Sequence, residues 1–174
     1  ISGEKGINQK ILLRVTPGID PHTHKKISTG SVESKFGIAI ETGQAFSAVQ
    51  TALKQKNLTL CGFHCHIGSQ IFDSEPFGTA LEIMLDFINN VRIKLGFTAD
   101  VLNLGGGFGV RYTEDDPEID YADKIREVAT ALNRLCADLQ LNVPKILMEP
   151  GRSLVADAGI TLYTVGSVKE ITGY

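Results

Sequence analysis

The octapeptide KILMEPGR (145–152) closes an apolar run with a carboxylate and sets a guanidinium three residues later. A strand that only fills a core needs neither charge. Glu149 could face a protonated ring nitrogen, and the planar fork of Arg152 suits a phosphate or a carboxylate. The plain alternative is an exposed Glu–Arg ion pair capping a turn. Upstream, Gly105, Gly106 and Gly107 follow the run DVLNL (100–104). Consecutive glycines clear side chains away and let backbone N–H groups turn toward one point, a cradle for a phosphate. Here the alternative is a tight turn with close backbone packing. A dinucleotide fingerprint fails, because its third glycine would fall on Val110, and no Lys-Ser/Thr follows for a P-loop.

The run LTLCGFHCHI (58–67) carries His64 and His66 two residues apart, so on a strand both face the same way, and Gly68-Ser69 ends it. Two uses compete. The pair could hold a metal, which needs a third and a fourth ligand, and His22 and His24 are the other histidines in the chain. Or one imidazole could lie flat against an aromatic ligand while the Ser69 hydroxyl bonds an anion. A histidine satisfied within the core is a further reading of His64. A flat face for a ring, a cradle and a cation for a phosphate, and an acid for a ring nitrogen together describe pyridoxal 5′-phosphate. That cofactor acts as an electron sink, provided its ring nitrogen is kept protonated.

Something must bring these clusters together. ILLRV (11–15) reads as a strand stopped by Thr16-Pro17-Gly18, and residues 19–37 as a long polar loop. Ala45, Phe46, Val49, Ala52 and Leu53 give a helical stripe, as do Leu81, Met84, Leu85, Ile88 and Val91 within 75–95. Ile125, Val128, Ala129, Leu132 and Leu135 do the same within 121–139. Strands are expected at 58–67, 100–104 and 143–149, and a longer one at 160–171. Strands alternating with helices imply parallel pairing through helical crossovers. The architecture is then either a doubly wound sheet or a (β/α)8 barrel, of which four or five strands are about half. Each chemical cluster follows the C-terminal end of a strand, the edge where both architectures bind ligands.

Composition argues for no other class. The 174 residues are 43% apolar and 21% charged, ordinary for a chain that buries a core. A net charge of −3, with scattered lysines and arginines, gives no electrostatic case for nucleic acid. The apolar runs are too short to span a bilayer, so no membrane role is expected. Three cysteines without a CxxC suggest neither a disulfide framework nor a zinc knuckle and fit a reducing cytoplasm. With ISGEKGINQ at one end and ITLYTVGSVKEITGY at the other, the chain is expected to be cut from a longer polypeptide.

GFHCHIGSQIFD, LNLGGGFGV and EPGRSLV, in that order, with TPGIDPHTHKKISTGSVESKFGI upstream, resemble the fold-type III pyridoxal-phosphate decarboxylases over nearly the whole chain. Gln70 after HIGS sides with the branch that acts on diaminopimelate rather than with its ornithine-cleaving relatives. The resemblance implies an alanine racemase-like (β/α)8 barrel followed by a β-rich domain, working as a homodimer with active sites completed across the interface. It implies removal of carbon dioxide from the D-configured centre of meso-2,6-diaminopimelate to give L-lysine. On the same ground His66 stacks on the pyridine ring, and Ser69 with the backbone of Gly105, Gly106 and above all Gly107 bonds the phosphate. Glu149 faces the ring nitrogen and forms the catalytic pair with His66. Pro150 and Gly151 line the cofactor, and Arg152 also reaches a substrate carboxylate. The family's cofactor-bearing lysine matches none in this chain, including Lys35 of SKFG, and is expected before Ile1, with the β domain after Tyr174. Residues 1–174 are therefore expected to be one barrel segment, inactive by itself. The alternatives are a relative acting on arginine, ornithine or carboxynorspermidine, a metal-dependent barrel hydrolase using His64 and His66, and a non-catalytic pyridoxal-phosphate-binding barrel.

Overall fold

The computed structural model describes residues 1–19 and 35–173. Five strands, β1 (Gln9–Thr16), β2 (Ile38–Ala39), β3 (Leu58–His64), β4 (Val101–Asn103) and β5 (Lys145–Leu147), form one parallel sheet in the order β2-β1-β3-β4-β5. Helices α1 (Gln44–Leu53), α2 (Glu75–Leu95) and α3 (Tyr121–Asp138) supply the crossovers. From β1 through β3 and β4 to β5 the strands neighbour one another in chain order, and α1 touches α2 while α2 touches α3. A doubly wound sheet reverses its order at a switch point and covers both faces. The short β2, on the far side of β1, does make the full order reverse there; what marks the barrel is that α1, α2 and α3, the successive crossovers, pack side by side.

The helices form where the sequence predicts. Pro76 sits in the first turn of α2 with Glu75 beside it, and Gly96 ends the helix at φ 66°, its N–H donating to the Arg92 carbonyl at 3.0 Å. Asp120 caps α3 by accepting the Asp123 N–H at 3.0 Å. Phe63 on β3 meets Phe87 of α2 edge-on at 5.1 Å, inside a core that also holds Leu81, Met84, Leu85, Val91 and Leu102. Among the described residues no helix is long and apolar enough to cross a membrane.

Several expectations change. The run 160–171 is not a strand: it has no ladder partner, and Ile160, Leu162, Tyr163 and Val168 are each at least 80% exposed. Strand propensity reflects fit to a pleated, half-buried neighbour, and no such neighbour is present among the described residues. Ahead of it, residues after Gly151 form a short helix α4 (Arg152–Val155) and a 3-10 turn, Ala156–Ala158. The fifth strand is instead Ile38–Ala39, too short for periodicity to reveal. Leu53 and Ile125 lie outward, and Ala129 is exposed, so the buried stripe of α3 runs through Val128, Leu132 and Cys136. Most of the expected 19–37 loop, including His22 and His24, lies outside the described residues.

Strand β3 ends at His64, three residues before the expected stop, and carries a feature that alternation alone does not predict. Ile11 pairs with Leu60 but Leu12 pairs with Gly62, so Cys61 is an extra residue in the ladder. Leu60 and Phe63, an odd number apart, therefore both enter the same core. The bulge shifts the inward phase by one and turns His64 to the opposite face. Gly62, at φ 155°, is needed there, because a Cβ on it would run into the Val101 carbonyl.

Candidate active site

Parallel register sets the first layer of the site. Arg14 on β1 is level with His64 on β3, His64 with Asn103 on β4, and Asn103 with Leu147 on β5. Partners in register point to one face, so Arg14, His64 and Asn103 form a polar row along the strand ends, and Glu149 joins that face two residues after Leu147. Asn103 is 8% exposed and is spanned on both sides. Its Nδ2 donates to Glu149 Oε1 at 2.9 Å, and its Oδ1 accepts the Gly105 N–H at 2.8 Å. The His64 Nε2 lies 3.4 Å from the same Oε1, misaligned for a hydrogen bond, and is otherwise buried without a partner. The second carboxylate oxygen, Oε2, has no protein partner among the described residues.

The second layer is the glycine turn against the 64–71 segment. The Gly106 N–H donates to His66 Nδ1 at 3.2 Å, which fixes the neutral ring with its proton on Nε2. A Cβ on Gly105 would stand 2.7 Å from that Nδ1 and 2.6 Å from the Cys65 carbonyl, so the bare backbone is what admits the imidazole. Gly107, at φ 112°, lies against the Gly68 carbonyl, and the Ile71 N–H donates to the Gly107 carbonyl at 2.9 Å. Phe108 plugs the turn into the core, stacked on Phe77 at 4.5 Å and edge-on to Tyr121. Burial is the main cause that holds both imidazoles below the usual histidine range. For His64 the Glu149 carboxylate opposes it and Arg14 adds to it; for His66, Arg14 and His64 add to it and Glu149 opposes. Both rings are therefore neutral at neutral pH. Burial also pushes the Cys65 thiol up to about 12, which leaves it no part as a nucleophile.

Three of the sequence clusters thus meet at one rim: His66, the glycine turn and Glu149 are joined by hydrogen bonds, two of them through Asn103. Two amides of the glycine triplet are spent inside the chain, Gly105 on Asn103 and Gly106 on His66, and the Gly107 N–H alone has no partner among the described residues. Ser69 lies in the segment zipped to Gly107 and is half-buried. Pro150, Gly151 and Arg152 are exposed, Pro150 following the Glu149 carbonyl that lies against Gly106. Arg152 stands apart from the network: its Nη1 donates to the Tyr112 hydroxyl at 3.3 Å and its guanidinium lies 6.0 Å from that ring. For a metal, no group of three or more His, Cys, Asp or Glu side chains gathers among the described residues, and His66 Nδ1 is already occupied by an N–H.

Sequence reading missed Arg14, Asn103 and the work of Gln70. Arg14 and Asn103 leave a trace, each a polar residue one place before the end of an otherwise apolar run. Gln70, at φ 58°, returns its side chain to the glycine segment: Nε2 donates to the Val110 carbonyl at 3.1 Å, and Oε1 accepts the Val110 N–H at 2.9 Å. With Ile71 and Gly109 bonded beside it, this amide acts as one more rung between the two loops. Gln70→Ala leaves the Val110 N–H unpaired and is expected to cost about 1–2 kcal/mol of stability, read by urea unfolding.

The donor set fits a phosphorylated heterocycle with a basic ring nitrogen. A neutral imidazole is backed by a rigid turn, the Gly107 amide lies against the segment that carries Ser69, and a carboxylate is held by one oxygen with the other open. Comparisons with known proteins agree. Residues 3–156 match the family described as pyridoxal-dependent decarboxylase, pyridoxal binding domain. The diaminopimelate decarboxylase of Bacillus subtilis is 45% identical over 170 residues, and that of Halalkalibacterium halodurans 47% over 171; each alignment takes in 98% of this chain and 39% of the relative. Among solved structures, diaminopimelate decarboxylase from M. jannaschii in co-complex with L-lysine superposes with a TM-score of 0.79 at 35% identity, over 89% of this chain and 35% of that one. The Helicobacter pylori enzyme complexed with L-lysine gives 0.75 at 35% identity, over 89% and 36%. The chain spans about two-fifths of the length of the curated relatives it matches.

Proposed function

This chain belongs to the pyridoxal-dependent decarboxylases, through their pyridoxal binding domain, and from that premise we propose that the intact protein decarboxylates meso-2,6-diaminopimelate to L-lysine. The sheet is part of that family's (β/α)8 barrel. The observation that carries the reading is the junction of His66, the glycine turn and Glu149 at one strand-end rim. Pyridoxal 5′-phosphate, when bound, supplies an electron sink at the carbon that loses its carboxylate. His66 would form the platform for the ring, kept neutral and oriented by the Gly106 N–H. The Gly107 N–H and the Ser69 hydroxyl would bind the phosphate, while Gly105 and Gly106 serve by fixing Asn103 and His66. Glu149 would hold a proton on the ring nitrogen through Oε2. Pro150 and Gly151 would line the cofactor, and Arg152 would reach the phosphate or a substrate carboxylate.

The substrate assignment is supported by the names of the relatives and by the L-lysine in two solved neighbours. We further propose that the whole enzyme is a cytoplasmic homodimer, and that residues 1–174 are a barrel segment completed by an N-terminal part bearing the cofactor-binding lysine and by a C-terminal β domain. Carbon dioxide release by the intact protein, supplied in turn with meso-diaminopimelate, ornithine and arginine, tests the substrate; preference for ornithine or arginine overturns it. Arg152→Ala is expected to weaken cofactor binding by about 1.5 kcal/mol, roughly tenfold, read by equilibrium dialysis. The low end of the charged hydrogen-bond range applies because the side chain is exposed and divides its donors with Tyr112.

A further inference from the structure

We propose that Asn103 is a positioning residue that holds Glu149 by one carboxylate oxygen and so presents the other to the ring nitrogen. The inference rests on the proposed role of Glu149 and extends it to a buried residue that holds it. Glu149 follows the last strand, and its side chain is 55% exposed. An exposed glutamate with no tether samples several rotamers. Here Oε1 accepts a 2.9 Å bond from a buried amide whose own position is fixed at three points. Asn103 Oδ1 holds the Gly105 N–H, its carbonyl accepts the Cys65 N–H at 2.9 Å, and its backbone lies in the β4 ladder. The amide therefore transmits the rigidity of the sheet and of the glycine turn to a carboxylate that would otherwise be loose. Asparagine suits the task, because one end donates to the carboxylate while the other accepts from the turn.

The test uses the intact enzyme and reads His64 as well as turnover. The charged or titratable groups facing His64 are Arg14 on β1, Glu149 after β5, and His66 two residues on in its own segment. The Glu149 charge raises the His64 titration midpoint, so Glu149→Gln is expected to lower it, as followed by NMR of 15N-histidine-labelled, cofactor-free protein. Asn103→Leu removes the tether, and the carboxylate swings to solvent. The midpoint should fall in the same direction, kcat about tenfold, and cofactor affinity by less than threefold. In the Glu149→Gln background, Asn103→Leu should lower the midpoint no further, whereas a purely desolvating effect of leucine would add to it. Asn103→Ser, too short to span the two partners, repeats the test with a polar side chain if the leucine variant does not fold. Additive midpoints, or wild-type kcat in a folded Asn103 variant while Glu149→Gln is impaired, overturn the assignment of Asn103 and leave that of Glu149 standing. Wild-type turnover in Glu149→Gln removes the Glu149 reading instead, and the His64 midpoints still decide whether Asn103 holds the carboxylate.

Discussion

Glu149→Gln in the intact enzyme is expected to lower kcat by about 10²–10³, or ~2.7–4 kcal/mol of transition-state stabilisation, while the cofactor stays bound. The substitution is close to isosteric, and glutamine Oε1 can still accept from Asn103 Nδ2, so the side chain keeps its place. What changes is the outward atom. Oε2 can accept a hydrogen bond from a ring N–H and balance its positive charge; the amide nitrogen replacing it is a donor. Such a donor could not hold a proton on the ring nitrogen of a bound pyridoxal phosphate, and the electron sink would be weakened. Cofactor affinity, which on the proposed reading comes from the phosphate contacts and the His66 platform, should change by less than threefold. Steady-state decarboxylation beside equilibrium dialysis separates the two effects. Full turnover, or loss of cofactor in proportion to activity, would show that Glu149 serves some other purpose.

The sequence made the rhythm of this fold plain because helices α2 and α3 are long and strongly periodic, with Pro76 in the first turn of α2, Gly96 at its end and Asp120 capping α3. The placement of the chemistry was legible for a related reason: strand ends in a parallel sheet converge, so clusters such as GGG and EPGR that follow successive strands must share an edge. Pairwise detail was not legible. Alternation put His64 and His66 on one side of a continuous strand, but the bulge at Cys61 and the early end of β3 decide which side, and a bulge is a property of two strands at once. Asn103 reads as an ordinary residue in LNLGGG until register sets it between His64 and Leu147. By sequence the triplet offers three donors to a phosphate; two of those amides turn inward, toward partners that sequence order does not reveal. Residues 160–171 show the converse, since strong β propensity stays idle without an edge to join.

Gly106→Ala should be nearly as damaging as the loss of Glu149, by an unrelated route. Gly106 does not occupy the left-handed region, so alanine meets no conformational penalty there and the effect is one of space. Its Cβ would run into the Glu149 carbonyl oxygen and stand 3.0 Å from the carbonyl carbon. These are backbone atoms and cannot rotate away. Relief requires the turn and the start of the EPGR segment to part, against the 2.7 Å bond from the Glu149 N–H to the Gly105 carbonyl and the 3.0 Å bond from Leu104 N–H to the Leu147 carbonyl. Overpacking of this kind costs about 1–3 kcal/mol. The same movement draws the Gly106 N–H away from His66 Nδ1, so platform and carboxylate are displaced together. A loss of about 2–3 kcal/mol in urea unfolding is expected, with turnover of the folded fraction reduced roughly a hundredfold. Gly78→Ala, in the interior of α2 with open space around it, is the control and should stabilise by about 0.5–1 kcal/mol. If Gly106→Ala instead unfolds like the wild type and keeps full activity, the glycine turn and Glu149 do not meet at one rim. The proposed cofactor site would then lose its geometry.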